Sequence, residues 1–208
     1  RGAASVVLVR PGEAFDDSGD RSYIVNPRHK EDFTRLFESL TEKGSPVENI
    51  CFAWPLSHAG FRDDEELKES LEKGVYSFLF LCQALIGKKL DSAARLLYVH
   101  AAKPGEVQPH NEAVNGFVNT VHLEHPRMFC KTLEIRRDGD GHDAILDAIT
   151  AELQVPEQDA TVVRYEAGAP AALSGLQLTP VRGERVALRW GDVQAALHPD
   201  DIHCAPPA

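Results

Sequence analysis

The chain has 208 residues, of which 43% are apolar, and its formal net charge is −10. This length allows one large domain, or one domain and a small appendage, and the apolar fraction excludes a globally disordered chain. The acidic charge argues against nucleic acid or an anionic membrane as the main partner, and no apolar stretch reaches the about 18 residues of a membrane span.

The four cysteines lie far apart and form no C-x-x-C pair. This pattern indicates structural free thiols in a reducing cytosol, and hence a cytoplasmic protein. The N-terminus lacks the layout of a signal peptide. Because Arg1 is not a natural initiator, we expect the chain to be a piece of a longer protein.

Strands and helices alternate along most of the chain. Runs of β-branched and aromatic residues predict strands at 5–9, 22–27, 49–54, 94–101, 128–135 and 160–168. Apolar residues at helical spacing predict helices at 29–44, 65–90, 111–125 and 142–154. A weaker pattern at 186–197 indicates a further strand and a helical turn, and 11–20 is predicted as a loop.

Two details support the predicted helices. Asp63 and Asp64 are acidic N-terminal signals for the helix at 65–90. That helix is apolar nearly all round after Gly74, which favours burial in the domain core over a dimer or domain face.

Strands that alternate with helices predict parallel βαβ units with right-handed crossovers. The fold class is therefore α/β, a truncated Rossmann-like fold with a mainly parallel sheet flanked by helices.

The loop after the first strand, "PGEAFDDSGD", lacks the features of a dinucleotide site. Such a site needs Gly-x-Gly-x-x-Gly at the start of a helix, so that backbone amides can approach the pyrophosphate. Here acidic residues follow Gly12, and no helix fits before the strand at residue 22. We therefore predict no bound nicotinamide cofactor.

The sequence also lacks the motifs of several common catalytic sites. No tyrosine is followed at i+4 by the lysine or asparagine of short-chain reductase chemistry. No G-x-S-x-G nucleophile elbow and no phosphate loop is present. We predict no catalytic residue.

The histidines offer two candidate sites. His122 and His125 in "HLEH" could face one metal ion, but the spacing is not that of a zincin and no third ligand is evident. We therefore predict no metal, and favour two imidazoles at the C-terminal end of a helix dipole. His58, His100 and His110 lie at or after strand ends, where α/β sheets bind ligands, although loop histidines are more often bystanders.

The order and spacing of several stretches resemble one family. These stretches are "ENICFAWPLS", "GVYSFLFLCQAL", "ARLLYVHAA", "NEAVNGFVNTVHLEHPRMFCKTLEI", "AITAELQ" and "VVRYEAG". Together they resemble the structural subdomain of the ketoreductase domain in bacterial modular polyketide synthases, in particular those with a trans-acting acyltransferase. Glu124, Pro126 and Cys130 occupy positions that match the family pattern, and the resemblance covers roughly 5–168.

The resemblance implies a scaffold without a cofactor site, packed against a catalytic subdomain that binds NADPH. It implies residues 1–182 as the subdomain and 183–208 as an extension or linker. The stretch after 168 departs from the family pattern, which favours a pseudo-ketoreductase that keeps only the scaffold over half of an active reductase. The expected partners are other synthase domains, with an acyl carrier protein as a further possibility.

Two alternatives stay open at this stage. One is a free-standing enzyme that acts on acyl thioesters near His58, His100 and His110. The other is a module that dimerises or docks a carrier protein through its apolar helix.

Overall fold

A computed structural model describes residues 6–19, 21–45, 47–57, 61, 63–88, 93–103, 108–136, 142–154 and 161–166. The strand and helical turn predicted at 186–197 lie outside the described residues, as does His58.

The first sheet has three short strands in the order β1-β3-β2. They are β1 (Leu8–Pro11), β2 (Asp16–Gly19) and β3 (Ser22–Val25). β1 pairs with β3 in parallel, and β2 pairs with the other edge of β3 in an antiparallel arrangement. The strands predicted at 5–9 and 22–27 are thus confirmed, with shifted or shorter bounds.

The second sheet has four parallel strands in the order β4-β5-β6-β7. They are β4 (Asn49–Phe52), β5 (Ala94–Ala102), β6 (Met128–Arg136) and β7 (Val162–Glu166). Because parallel neighbours need crossover connections, helices lie between them in sequence. The predicted α/β class with a mainly parallel sheet is confirmed.

The prediction of a loop at 11–20 is wrong in part, because β2 lies within it. Its four residues are exposed and none has an apolar side chain larger than hydrogen, so they carry no alternating apolar pattern that would have predicted a strand. The turn into β3 uses positive φ angles at Gly19 (76°) and Arg21 (60°). A glycine tolerates this conformation without strain, and the turn lets β2 fold back on β3.

Five α-helices are described. They are α1 (Lys30–Glu42), α2 (Asp64–Ser70), α3 (Ser77–Gly87), α4 (Pro109–Glu124) and α5 (His142–Gln154). Each lies within about two residues of a predicted helix, apart from the region 65–90. None of the described helices is long and apolar enough to cross a membrane.

The single helix predicted at 65–90 is interrupted by a π-helical turn at Leu71–Tyr76, between α2 and α3. A Cβ atom on Gly74 would lie 3.1 Å from the Tyr98 hydroxyl and 3.6 Å from Pro55. The glycine therefore allows the turn to approach the Tyr98 side chain of β5 closely. A wider turn does not change apolar spacing enough to be visible in the sequence.

The described residues form two apolar cores. The larger contains Phe33, Phe52, Phe78 and Tyr98 and is covered by α1, α3 and α4. The smaller core includes residues of β5, β6 and α5. α3 contributes Phe78, Leu81, Cys82, Ala84 and Leu85 as buried residues, which confirms the prediction that the apolar helix packs in the core.

Candidate functional site

The carboxyl end of β5 meets the start of α4 in a buried polar cluster, here called the strand-end cluster. Its members are Ser70, Tyr98, His100, Gln108, His110 and Asn111, all buried. In a parallel α/β sheet this is the edge where ligands bind. The structure therefore brings His100 and His110 together, as the sequence suggested, and adds residues from α2 and from the start of α4.

A hydrogen-bonded chain crosses this cluster. The Tyr98 hydroxyl donates to Asn111 Oδ1 at 2.6 Å, and Asn111 Nδ2 donates to Gln108 Oε1 at 2.6 Å. Tyr98 is fully buried, so its hydroxyl hydrogen must find an acceptor inside the protein. That requirement fixes which group donates and which accepts in both hydrogen bonds, and it leaves Gln108 Nε2 as a donor at the end of the series.

His110 lies on the other side of the cluster. Its Nε2 is 3.1 Å from Ser70 Oγ, and the Phe61 ring meets the imidazole edge-on with centroids 5.6 Å apart. A serine beside a histidine resembles a nucleophile and its base. Both are buried, however, and Ser70 ends a regular helix instead of occupying an exposed strand-to-helix turn.

His100 is neutral at physiological pH. Burial lowers the pKa of its imidazole to about 4, with a smaller contribution of the same sign from His110. The nearby Glu134 carboxylate opposes this lowering but does not overcome it. An uncharged imidazole that is only 2% exposed is a poor general acid or base for a substrate arriving from solvent.

Glu134, on the neighbouring strand β6, is held by two arginines. Arg136 Nε and Arg164 Nε each lie 2.6 Å from one of its carboxylate oxygens. Burial opposes ionisation, but the two guanidinium hydrogen bonds outweigh it and lower the pKa of Glu134. The carboxylate therefore stays ionised as an ion-pair partner and is not a proton donor at neutral pH.

No metal site is formed within the described parts of the chain, because no three His, Cys, Asp or Glu side chains come together there. The HLEH stretch has a structural environment instead. His122 lies in the last turn of α4, with its ring 6.2 Å from Phe129, and the His125 backbone N–H donates to the Val121 carbonyl at 2.8 Å.

The described cysteines are unsuited to nucleophilic chemistry on acyl thioesters. A hydrogen bond with Cys130, together with burial, raises the pKa of Cys82. Burial raises the pKa of Cys51 to about 12. Since the thiolate is the reactive form, these thiols are structural.

A second place where a Rossmann-like fold binds cofactor is the connection after its first strand. Here that connection contains β2 in place of a helix, and Asp16 and Asp17 line it. The single early glycine has a packing role, because a Cβ on Gly12 would lie 2.3 Å from Ile24 Cγ2. Among the described residues of 8–25, no helix begins that could bind a phosphate at its N-terminus.

Sequence reasoning identified His100 and His110 but missed Ser70, Gln108 and Asn111. The available signal was Gln108-Pro109, since proline at the first helical position marks a helix start. Ser57, which precedes the candidate His58, ends a 3-10 turn at Trp54–Ser57.

Several solved structures resemble this fold. An N-terminal ketoreductase from the macrolactin assembly line matches with a TM-score of 0.65 and 26% identity, over 77% of this chain and 32% of that one. A multidomain structure with adenylation, ketoreductase and pseudo Asub parts, from a keto acid-selecting NRPS module, matches with a TM-score of 0.65 and 24% identity. It covers 78% of this chain and 14% of that one.

A short-chain dehydrogenase/reductase from Serratia marcescens shares the fold at a TM-score of 0.56 and 11% identity, over 77% of this chain and 84% of that one. The chain thus spans about a third or less of the ketoreductase-containing chains but most of this dehydrogenase. No curated protein matches the chain in sequence.

The ketoreductase match confirms the resemblance to a ketoreductase structural subdomain of a modular assembly line. A family model described as "Beta-ketoacyl synthase-like, N-terminal" matches residues 1–152. The chain belongs to the β-ketoacyl synthase-like, N-terminal family.

Proposed function

We propose that this chain is a non-catalytic structural subdomain of a ketoreductase region in an assembly-line synthase. In this role it supports an NADPH-dependent catalytic subdomain, or neighbouring domains, that reduce or process carrier-bound β-ketoacyl chains. Its domain organisation is a subdomain at 1–182 and an extension or linker at 183–208.

The observation that carries this proposal concerns the two places where a Rossmann-like fold binds ligands, the connection after its first strand and the carboxyl end of the parallel strands. The first connection contains acidic β2 instead of a phosphate-binding helix, so a pyrophosphate would meet Asp16 and Asp17. At the second position, the end of β5, the polar side chains of the strand-end cluster are buried. Both features favour a scaffold over a nucleotide-binding enzyme.

Titration with NADPH tests the proposal directly. We expect no saturable binding by calorimetry or by nucleotide fluorescence, with an active ketoreductase of a modular synthase as the positive control. Tight, saturable binding to this chain alone would contradict a scaffold role.

The alternative of a free-standing acyl-thioester enzyme has one supporting feature, the Ser70–His110 hydrogen bond. Replacing His110 by alanine, with His100→Ala as a second variant, separates the two functions. We expect no acyl-thioester turnover by the parent chain, and so no difference between it and the two variants. Turnover that disappears in His110→Ala would support the enzyme.

Docking to the rest of a synthase requires an exposed surface. Leu123 on α4 is 80% exposed, the largest exposure among the large apolar residues of the described chain. Ala113, Gly116 and Thr120 are also exposed and continue along the same side of the helix, at i, i+3 and i+7. We assign this α4 outer face as the contact for the neighbouring synthase domain, because its small side chains allow a second helix to approach.

A further inference from the structure

Three asparagines of α4 form a regular series of hydrogen bonds with the parallel sheet. They lie four residues apart, and the side-chain oxygen of each accepts from a hydroxyl outside the helix. This set, here called the asparagine ladder, consists of Asn111, Asn115 and Asn119. The first accepts from Tyr98 on β5 at 2.6 Å, the second from Thr132 on β6 at 2.6 Å, and the third from Thr161, the residue before β7.

The three hydroxyls come from adjacent strands. Tyr98 lies opposite Thr132, and Thr132 lies opposite Val162, which follows Thr161. Four residues of a helix rise about 6 Å, and neighbouring strands lie about 4.8 Å apart, so successive asparagines meet successive strands. The Thr132 hydroxyl is also 3.3 Å from the Thr161 carbonyl, but its contact with Asn115 is the shorter of the two.

The ladder lies on the flank of α4, beside the apolar stripe of the helix. At about 100° per residue, the asparagines lie about 90° round the helix axis from the buried Val114, Val118 and Val121, and about 120° from the α4 outer face. Burial of apolar surface has no preferred direction, whereas a hydrogen bond does. A row of hydrogen bonds on the flank therefore restricts rotation of the helix, which the valines alone restrict much less.

We propose that Asn111, Asn115 and Asn119 are positioning residues that set the rotation of α4 about its own axis. Asparagine is a poor helix former, because its side chain competes for backbone hydrogen bonds. Placing it at every fourth position weakens the helix and in return fixes one orientation, as a polar residue does in the core of a coiled coil. The rotation follows from the hydrogen bonds alone; its use, to present the α4 outer face to a synthase domain, rests on the proposed function.

Residual dipolar couplings of the α4 backbone amides test the rotation, because they vary along a helix with its 3.6-residue period. Asn115→Leu combined with Asn119→Leu removes two acceptors and introduces a better helix former. We expect the phase of the periodic variation to differ from that of the parent chain, or the α4 amide signals to double. Thr120→Val, which removes an exposed hydroxyl bonded within the same helix, should keep the parent phase. Single signals with the parent phase in the leucine variant would overturn the proposal.

A smaller change separates the hydrogen bond from packing, and it decides if the leucine variant does not fold. Thr132→Val keeps the shape of the side chain but removes the donor, whereas Thr132→Ser keeps the donor and loses a methyl group. We expect the valine variant to change the phase and the serine variant to retain it. Equal phases in the two variants, or a change in the serine variant alone, would contradict a positioning role.

Binding to the neighbouring segment of the proposed synthase tests the use of this rotation. Calorimetry should give an affinity several-fold lower for Thr132→Val than for Thr132→Ser. Equal affinities would disconnect the ladder from the α4 outer face. If the parent chain itself does not bind, the assigned contact and not the ladder is wrong, since the dipolar couplings are measured on the chain alone.

Discussion

Gly12 has a role in packing that the sequence did not indicate. In the sequence it is part of a predicted loop, yet its missing Cβ makes room for Ile24 on the neighbouring strand β3. Ile24 is β-branched, and its Cγ2 cannot move away without a change of rotamer or backbone. The glycine therefore serves the contact between β1 and β3.

We expect Gly12→Ala to destabilise the chain by about 1–3 kcal/mol, because an added Cβ would overlap Ile24 at 2.3 Å. Urea unfolding followed by circular dichroism measures the change in the free energy of unfolding. Gly116→Ala is the control, since a Cβ there meets nothing within 4 Å and α4 gains helix propensity. Equal stability of Gly12→Ala and the parent chain would show that β1 adjusts freely.

His100 gives the stability of the chain a defined dependence on pH. Its folded pKa of about 4 lies below its ordinary value of 6.5, so the unfolded state binds more protons between these values. The stabilisation from the neutral imidazole is complete above pH 6.5 and is lost as the pH falls towards 4. The loss amounts to about 3 kcal/mol.

In His100→Gln this contribution disappears, so we expect a flatter dependence of unfolding free energy on pH between 6.5 and 4. Glu134, whose pKa is also lowered, contributes at lower pH in both proteins, and Gln108, His110 and Arg164 are common to both. Urea unfolding at a series of pH values gives the two slopes. Only the two pH slopes are compared, so a difference in absolute stability between the proteins does not matter. Identical slopes for the parent chain and His100→Gln would contradict the predicted contribution of His100.

At the scale of elements, the helix α2 depends on the residue that precedes it. Asp63 caps the helix, and its Oδ1 accepts from the Glu66 backbone N–H at 2.9 Å. The acidic residues that predicted a helix start therefore act through this hydrogen bond as well as through the helix dipole.

Asp63→Ala removes the cap, and we expect it to lower stability by about 1 kcal/mol. Asp63→Asn should retain most of it, since asparagine caps helices comparably. Thermal and urea unfolding of both variants distinguish the cap from the charge. A larger loss in the asparagine variant than in the alanine variant would show that the cap hydrogen bond is unimportant here.

Elements with a strong apolar period were predictable, whereas elements defined by close contacts were not. α1 has Phe33, Leu36, Phe37 and Leu40 on one buried face, so its period alone identified it. β2 has no buried residue and exists because the turn at Gly19 brings it to the edge of β3. The π-helical turn depends on the approach of Gly74 to Tyr98, a contact between residues distant in sequence.

The same distinction explains the candidate site. His100 and His110 were identified because they end a predicted strand or precede a predicted helix. Ser70, at the end of α2, joined them only through its hydrogen bond with His110 on α4, and no pattern in the sequence links positions so far apart. The burial that makes His100 neutral is likewise a property of the assembled fold.

At the scale of the whole molecule, the two cores lie in a fold whose α4 outer face presents Leu123 to solvent. Burying a leucine contributes about 1.5–3 kcal/mol, so an exposed one loses that stabilisation unless a partner covers it. The face is free of charge along Ala113, Gly116 and Thr120, which suits contact with another apolar helix. The proposed scaffold role requires such a contact surface and requires no catalytic crevice.

If the proposed function is correct, Leu123→Asp should weaken binding to the neighbouring domain of the proposed synthase by about tenfold or more, since it removes the apolar contact and buries a charge. Calorimetry with the two separately expressed segments measures the dissociation constant. Gln83→Glu, which adds the same charge at an exposed position of α3, should bind as the parent does. Leu123 is 80% exposed, so its replacement removes little packing within the domain. The free energy of unfolding in urea should therefore change by no more than about 0.5 kcal/mol. Equal affinities of the two variants would remove the α4 outer face as the contact and leave the scaffold role to another surface.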